Sequence, residues 1–223
     1  MYCAIIGDIM GSRNIKDRSS IQILLNNILE KINSKYADDI AAKFLITIGD
    51  EFQGLLKTPD NLFEIIDNIN FDFHPNKLRF GIGIGDLHTE LNENMAIGAD
   101  GPVYYSAREA INNVKVIENK YERPTKNIEI IYQNSRNEQL FKMINVTLSL
   151  CYLLEEKWTD KQREVIEKIA NSNKSQREIA KELGLRQSSI QRRINSSGYF
   201  TYKEAKQETV KFLLEIWNDS NDK

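Results

Sequence analysis

Tyr2-Cys3-Ala4-Ile5-Ile6-Gly7-Asp8-Ile9-Met10-Gly11-Ser12-Arg13 opens the chain with an unbroken apolar run that gives way to glycine, aspartate and serine. The run reads as a buried strand, Tyr2 to Ile6, followed by a tight turn whose polar mouth can hold chemistry. Beyond it, Ile21, Leu24, Leu25, Ile28, Leu29 and Ile32 recur at helical spacing and predict an amphipathic helix of about four turns. Lys43 to Ile48 and Glu51 to Leu56 read as two strands joined at Gly49 and Asp50, the second stopped by Pro59. A second helix follows over Leu62, Phe63, Ile65, Ile66 and Ile69. Leu78 to Ile84 is a strand in which Gly81 and Gly83 permit close approach of another backbone. Gly101 and Pro102 precede a helix from Val103 to Ile117, and Asn127 to Tyr132 alternates like a last strand.

This order predicts an α+β protein with a ferredoxin-like βαββαβ core and one added αβ unit. The topology brings the end of the first strand to the edge where the next two strands turn, so Asp8 and Asp50 are expected to face each other. With Glu51 beside them they form an all-oxygen donor set for one or two divalent cations, Mg²⁺ or Mn²⁺, whose remaining positions suit phosphate oxygens and water. Arg108 is the cation expected to stabilise negative charge developing in a phosphoryl transfer. The plainer reading is that Asp8 and Asp50 cap turns, where aspartate is common. Arg13 and Arg79 read either as phosphate contacts or as solvated arginines, and Asp86 and Asp100 are expected in loops near the same mouth, Asp86 as a third carboxylate. His74 and His88 have no Cys or His partner at metal-site spacing and are expected on the surface.

Gly7-Asp8-Ile9-Met10-Gly11-Ser12 resembles the segment that starts class III nucleotidyl cyclase domains, and Thr47-Ile48-Gly49-Asp50-Glu51-Phe52 resembles their glycine-aspartate hairpin. Arg79-Phe80-Gly81-Ile82-Gly83-Ile84-Gly85 and Gly101-Pro102-Val103-Tyr104-Tyr105-Ser106-Ala107-Arg108 continue the likeness in the same order. The hairpin is also similar to that of diguanylate cyclases, and the whole arrangement most resembles the SatD family of bacterial proteins. The resemblance implies a palm-like domain in which Asp8 and Asp50 bind metal and Arg108 stabilises the transition state. It makes Gly11, Ser12, Arg13, Gly49 and Arg79 the nucleotide-binding candidates. Two departures matter: Tyr104 stands where cyclases carry an asparagine, and Ile46 where they carry a base-recognising lysine. The usual residues for nucleotide selection are absent, so fold is implied more firmly than turnover.

Composition bounds the rest. The 223 residues, 41% hydrophobic with only 4 Pro, exclude collagenous and disordered chains and allow a core domain with an appendage. Neither a basic leader nor a long apolar stretch occurs, which predicts no membrane association. Cys3 and Cys151 lie far apart in apolar runs and read as buried thiols, which fits a cytoplasmic protein. The net charge of -2 conceals a division: residues 157–197 carry ten basic and five acidic side chains, leaving 20 basic and 27 acidic elsewhere.

That basic window reads as a helix-turn-helix over about 160–196. A helix from Asp160 to Ala170 is followed by Ser175 as N-cap with Glu178 three positions on, a capping box, then Gly184, then a second helix anchored by Ile190 and Ile194. Docked on DNA, that helix exposes Arg186, Gln187, Ser188, Ser189, Gln191, Arg192 and Arg193. It looks like the DNA-binding fourth region of sigma factors, while the plainer reading is a helical bundle with an ordinary solvated face. Before it, Asn137 to Trp158 is helical with Leu140, Phe141, Ile144, Val146, Leu148, Leu150 and Leu154 as its apolar face, and Tyr199 to Trp217 is a final helix suited to capping or to dimerisation. The expected division is a cyclase-like domain at 1–135 and a helical domain at 136–223. Three readings stay open: a nucleotide- and metal-binding protein that also contacts DNA, expected as a homodimer; an active cyclase or phosphotransferase; and an inactive scaffold for a protein partner.

Overall fold

The computed structural model describes residues 1–223 except 13, 14, 93–99, 122, 134–136, 222 and 223, so Arg13 lies outside the described residues. Its elements in chain order are β1 (Tyr2–Ile9), α1 (Arg18–Lys35), β2 (Ile40–Ile46), β3 (Glu51–Leu56), α2 (Leu62–Phe73), β4 (Leu78–Gly85), α3 (Pro102–Tyr121), β5 (Ile128–Tyr132), α4 (Glu138–Glu155), α5 (Asp160–Ala170), α6 (Gln176–Glu182), α7 (Gln187–Ser197) and α8 (Tyr199–Asn221). The strands form one sheet in the order β2-β3-β1-β4-β5. β1 pairs antiparallel with β3 and β4, and β5 adds parallel to β4. The first four strands have the ferredoxin-like order, so the chain is α+β with a helical region behind the sheet.

Strand alternation assigns the two faces. Cys3, Ile5 and Ile9 of β1 and Leu78, Phe80, Ile82 and Ile84 of β4 share a core with Leu25, Ile28 and Leu29 of α1 and Ile65, Ile66 and Ile69 of α2. Ala4 and Ile6 point the other way, against Val103, Ala107 and Ile111 of α3. α3 lies directly on β4 because Gly81 and Gly83 offer it bare backbone. A Cβ at Gly83 would meet the Val103 carbonyl oxygen at 2.0 Å, and one at Gly81 the Ala107 carbonyl oxygen at 2.3 Å. The glycines thus set how near α3 comes to the charged end of the sheet.

Three expectations are corrected. β1 runs to Ile9, past the expected end at Ile6, because Gly7 and Asp8 pair with Phe52 and Glu51 on one side and with Phe80 and Arg79 on the other. Asp8 is therefore a strand residue with its direction fixed by the pleat. β2 begins at Ile40, three residues before the expected start. On α4 the buried face is Phe141, Ile144, Leu148 and Cys151, while Leu140, Val146 and Leu150 are exposed. The helical period admits one stripe at a time, and the inward one belongs to Phe141.

A second core gathers Trp158 from the turn before α5 with Val165, Ile166, Ile179, Ile190, Ile194, Tyr199 and Tyr202 from α5, α6, α7 and the start of α8. Both capping boxes form, Thr159 with Gln162 and Ser175 with Glu178, and they fix where α5 and α6 begin. Gly184 turns the chain between α6 and α7 at φ 64, a conformation that favours glycine. Trp158 donates its indole N–H to the Ser197 carbonyl at 2.8 Å. α4 and the distal part of α8 (Leu213, Ile216 and Trp217), grouped by sequence with the C-terminal unit, pack instead into the core of the sheet. Between the two cores the buried Lys206 of α8 contacts Asp67 of α2 at 2.5 Å. Cys3 and Cys151 are free buried thiols, and burial pushes the Cys3 thiol up to about 12. No described helix is long and apolar enough to cross a membrane.

Candidate functional site

The register decides which charges meet. Asp8 stands opposite Glu51 on β3 and opposite Arg79 on β4, so the three side chains form a row across the central strands on the face that α3 covers. α3 brings Arg108, Lys115 and Glu118 to the same row, with Ile111 anchored over Gly81 between the first two. The pairing is specific. Arg108 forks onto Glu51, its two terminal nitrogens reaching the two carboxylate oxygens at 2.5 and 2.8 Å. Lys115 Nζ lies 2.9 Å from Asp8 Oδ2, and Arg79 Nε lies 3.0 Å from the same oxygen. Arg79 also reaches Glu118 at 2.5 Å.

Asp50 approaches from the hairpin. Gly49 turns at φ 66, Thr47 N–H bonds the Glu51 carbonyl at 2.8 Å, and Gln22 of α1 donates to the Gly49 carbonyl at 2.5 Å. Ser12, one residue beyond the left-handed turn at Gly11, hydrogen-bonds the Asp50 carboxylate. A recess of about 60 Å³ lined by Ile9, Ser12, Gln22 and Gly49 opens beside Asp50.

The two aspartates titrate apart. Burial raises Asp8 above the ordinary carboxylate range, against the opposing pull of Lys115 and Arg79, and the charge of Asp50 adds to the rise. Burial also pushes Asp50 up, but hydrogen bonds from Ser12, its own backbone and Asp8 outweigh it and leave the group low. Among the described residues four carboxylates (Asp8, Asp50, Glu51, Glu118) face three cations (Arg79, Arg108, Lys115), and Asp50 is hydrogen-bonded to Asp8 but has no ion pair of its own.

This arrangement answers the sequence expectations one by one. Asp8, Asp50, Glu51 and Arg108 do come together, with Gly11, Ser12 and Gly49 shaping the adjoining turns. Glu51, expected as a metal ligand, is held by Arg108. Arg79, expected to contact phosphate, is largely buried between Asp8 and Glu118, and its Nε sits at ion-pair distance from Asp8 without hydrogen-bond alignment. Asp86 is not a third carboxylate here: it binds the N-terminal amine at 3.1 Å, at the opposite end of β1 from Asp8. Asp100 lies at that far end too, its carbonyl bonded by the His88 N–H. His88 is exposed, and His74 is partly exposed and 4.0 Å from Asp160. Among the described residues no group of three or more His, Cys, Asp and Glu side chains assembles as a metal site. Sequence reasoning missed Lys115 and Glu118, although both share the helical face of Arg108.

In the basic region, α7 exposes Gln187, Ser188, Gln191 and Arg192, with Arg186 exposed at its N-cap and Ser189 half-buried. Asn195, not singled out by the sequence, continues the exposed row after Ser188, Gln191 and Arg192. Arg193, expected to face DNA, turns inward to the Lys161 carbonyl at 3.2 Å and to Glu164 at 3.4 Å, where it ties α7 to α5.

The sheet order, the hairpin aspartate and the helix laid on glycines define an α+β, palm-like domain carrying a carboxylate and cation cluster. The chain belongs to the SatD family, whose model matches residues 2–213. Among solved structures it is similar to a bacterial light-regulated adenylyl cyclase, at 15% identity and a TM-score of 0.38 over 58% of this chain and 74% of that one. It is also similar to the dimeric guanylyl cyclase domain of the RhoGC fusion protein from the aquatic fungus Blastocladiella emersonii, at 18% identity and a TM-score of 0.33 over 50% and 72%. The guanylate cyclase domain of RhGC from Catenaria anguillulae matches at 14% identity and 0.33 over 50% and 71%. These likenesses are distant, and no residue's role rests on them. No curated protein matches the chain.

The buried position of Arg79 generates a direct test. Arg79→Met removes one of the two cations on Asp8 together with the partner of Glu118 and should cost about 3 kcal/mol of unfolding free energy, part of it restored by adding Asp8→Asn. Urea denaturation of the two variants checks this; unchanged stability in Arg79→Met would show that the arginine is free for ligand.

Proposed function

We propose that the chain binds a nucleoside-phosphate ligand together with a divalent cation, Mg²⁺ or Mn²⁺, at the Asp8 and Asp50 end of the sheet, and that the α5–α7 unit is a helix-turn-helix that contacts DNA. The observation that carries the first part is the carboxylate pair, in which Asp50 has no ion-pair partner among the described residues. A buried carboxylate raised by desolvation, beside a second one kept ionised by Ser12, fits a hard cation held by oxygen. Such an ion would leave positions for phosphate oxygens, and the positive-φ turns at Gly11 and Gly49 leave backbone uncovered beside it. Arg108, part-exposed at the rim, is the cation best placed to meet the phosphates. Tyr104 is buried in one cluster with Ala4, Ile6 and Leu55, which favours binding over cyclisation. A reducing, cytoplasmic setting agrees with the two free thiols.

For the nucleotide site, Asp50→Asn should weaken binding of a nucleoside triphosphate in Mn²⁺ by about tenfold or more, a loss of about 1.4 kcal/mol, in isothermal titration. Mass analysis of the recovered ligand separates binding from turnover: a cyclic or transferred product would install the enzyme reading instead. Equal affinity of the variant would remove Asp50 from the site.

Support for DNA contact comes from the exposed row Ser188, Gln191, Arg192 and Asn195 on one face of α7, with Arg186 at its start. Arg192→Ala with Arg186→Ala should weaken DNA retention and lower the slope of its salt dependence by about one to two counterions, leaving nucleotide binding as it was. Retention that is insensitive to both substitutions would return the unit to a packing role.

A homodimer is supported by α4. Leu140, Met143, Val146, Leu150 and Leu153 are exposed along one side of the helix. Their spacing nearly reads the same in both directions, so that an antiparallel copy sets Met143 against Leu150 and Leu140 against Leu153, as a two-fold contact requires. Met143→Glu with Leu150→Glu should halve the mass measured by sedimentation; a parent protein that already sediments as a monomer would contradict it.

A further inference from the structure

Lys115 pairs with Asp8 at the centre of the charged row. Its ammonium lies 2.9 Å from Asp8 Oδ2, the oxygen that Arg79 Nε also approaches at 3.0 Å, and Asp8 itself is almost wholly buried. Arg79 is fixed from its other side by Glu118 and by the Ile9 carbonyl at 3.5 Å, with only a small part of its side chain exposed. Lys115 has no such second tether among the described residues: its side chain is 35% exposed and its only ion pair is to Asp8. Of the two cations on Asp8, one is therefore structural and the other is free to swing. A lysine suits that part, since its ammonium is a point charge on a flexible four-carbon stem.

The position of Lys115 gives the swing a destination. It stands seven residues after Arg108 on α3, on the same face and two helical turns along, so the two cations bracket the Glu51 and Asp8 carboxylates from one side. An anion bound at that rim would lie within reach of both. We propose that Lys115 is a tethered counter-ion for Asp8 that a divalent cation displaces, and that the displaced ammonium then pairs with the phosphates of the nucleotide.

The inference rests on the reading of the site given above and adds a thermodynamic signature. Without nucleotide, metal must evict Lys115 into water; with nucleotide, the ammonium moves to a new partner. Each ligand therefore favours the other, and the coupling must be reciprocal. In wild-type protein, Mn²⁺ binding should tighten with a non-hydrolysable nucleoside triphosphate by a factor within the usual range of about 5 to 150.

The test is titration of the full chain with Mn²⁺, followed by electron paramagnetic resonance of free Mn²⁺, with and without the triphosphate analogue. Lys115→Met and Lys115→Gln are compared with wild type, and a thermal melt confirms that each is folded. Both variants should bind Mn²⁺ alone more tightly than wild type, because the competing charge is gone, while the gain conferred by nucleotide shrinks to about one-fifth of its wild-type value or less. Lys115→Arg should retain most of the coupling. Wild-type affinity and coupling in the Met and Gln variants overturn the inference and leave the site reading standing. If wild type binds neither Mn²⁺ nor the triphosphate, both fall together.

Discussion

A carboxylate in the middle strand of a sheet must be compensated where it stands, and Asp8 imposes that requirement on everything around it. The side chain is nearly all buried, so water cannot supply the compensation and fixed charges must. Arg79 arrives through strand register and Lys115 through the helix above. Neither brings Asp8 back to the ordinary carboxylate range, since burial still outweighs both. The residual imbalance, concentrated at the approach of Asp50, is what makes this end of the sheet a candidate site.

The same requirement explains features that look unrelated. Gly81 and Gly83 let the α3 backbone settle on β4, and without that approach Arg108, Lys115 and Glu118 would hang beyond reach of the strand carboxylates. Glu118 in turn holds the far side of Arg79, and Glu51 holds Arg108. Behind the sheet, α8 joins the palm-like layer to the basic helical unit, with Lys206 buried against Asp67, Tyr202 and the Phe63 ring. The two cores are thus linked through α8 and the ion pair of Lys206 with Asp67, and α4 also reaches both, with Phe141, Ile144 and Leu148 in one and Cys151 in the other.

Much of this was legible in the sequence. Hydrophobic alternation and glycine placement disclosed the strand order, and the two short aspartate segments identified the end of the sheet that matters. Register was harder: that Asp8 belongs to the strand follows only from its pairing with Glu51 and Arg79, which no local pattern encodes. Lys115 was hidden for a related reason. A charged residue on a long helix reads as solvated until the face packed on the sheet is known, and Ile111 over Gly81 is what reveals it. Arg193 failed in the opposite direction, its expected exposure cancelled by Glu164 on a helix nearly thirty residues away in sequence. On α4 the expected apolar face merged the buried residues Phe141, Ile144 and Leu148 with the exposed Leu140, Val146 and Leu150, because both stripes are apolar and only packing distinguishes them.

The central question is whether the carboxylate pair Asp8 and Asp50 is a cation site. The most direct measurement is an anomalous difference map, recorded near the manganese edge, from crystals grown with Mn²⁺ and a non-hydrolysable nucleoside triphosphate. A cation site there predicts a peak between the two carboxylates, phosphate density toward Arg108, and the Lys115 ammonium moved from Asp8 onto that phosphate. Crystals that show no peak there, with Lys115 still seated on Asp8, would contradict it and leave the cluster as a structural ion network.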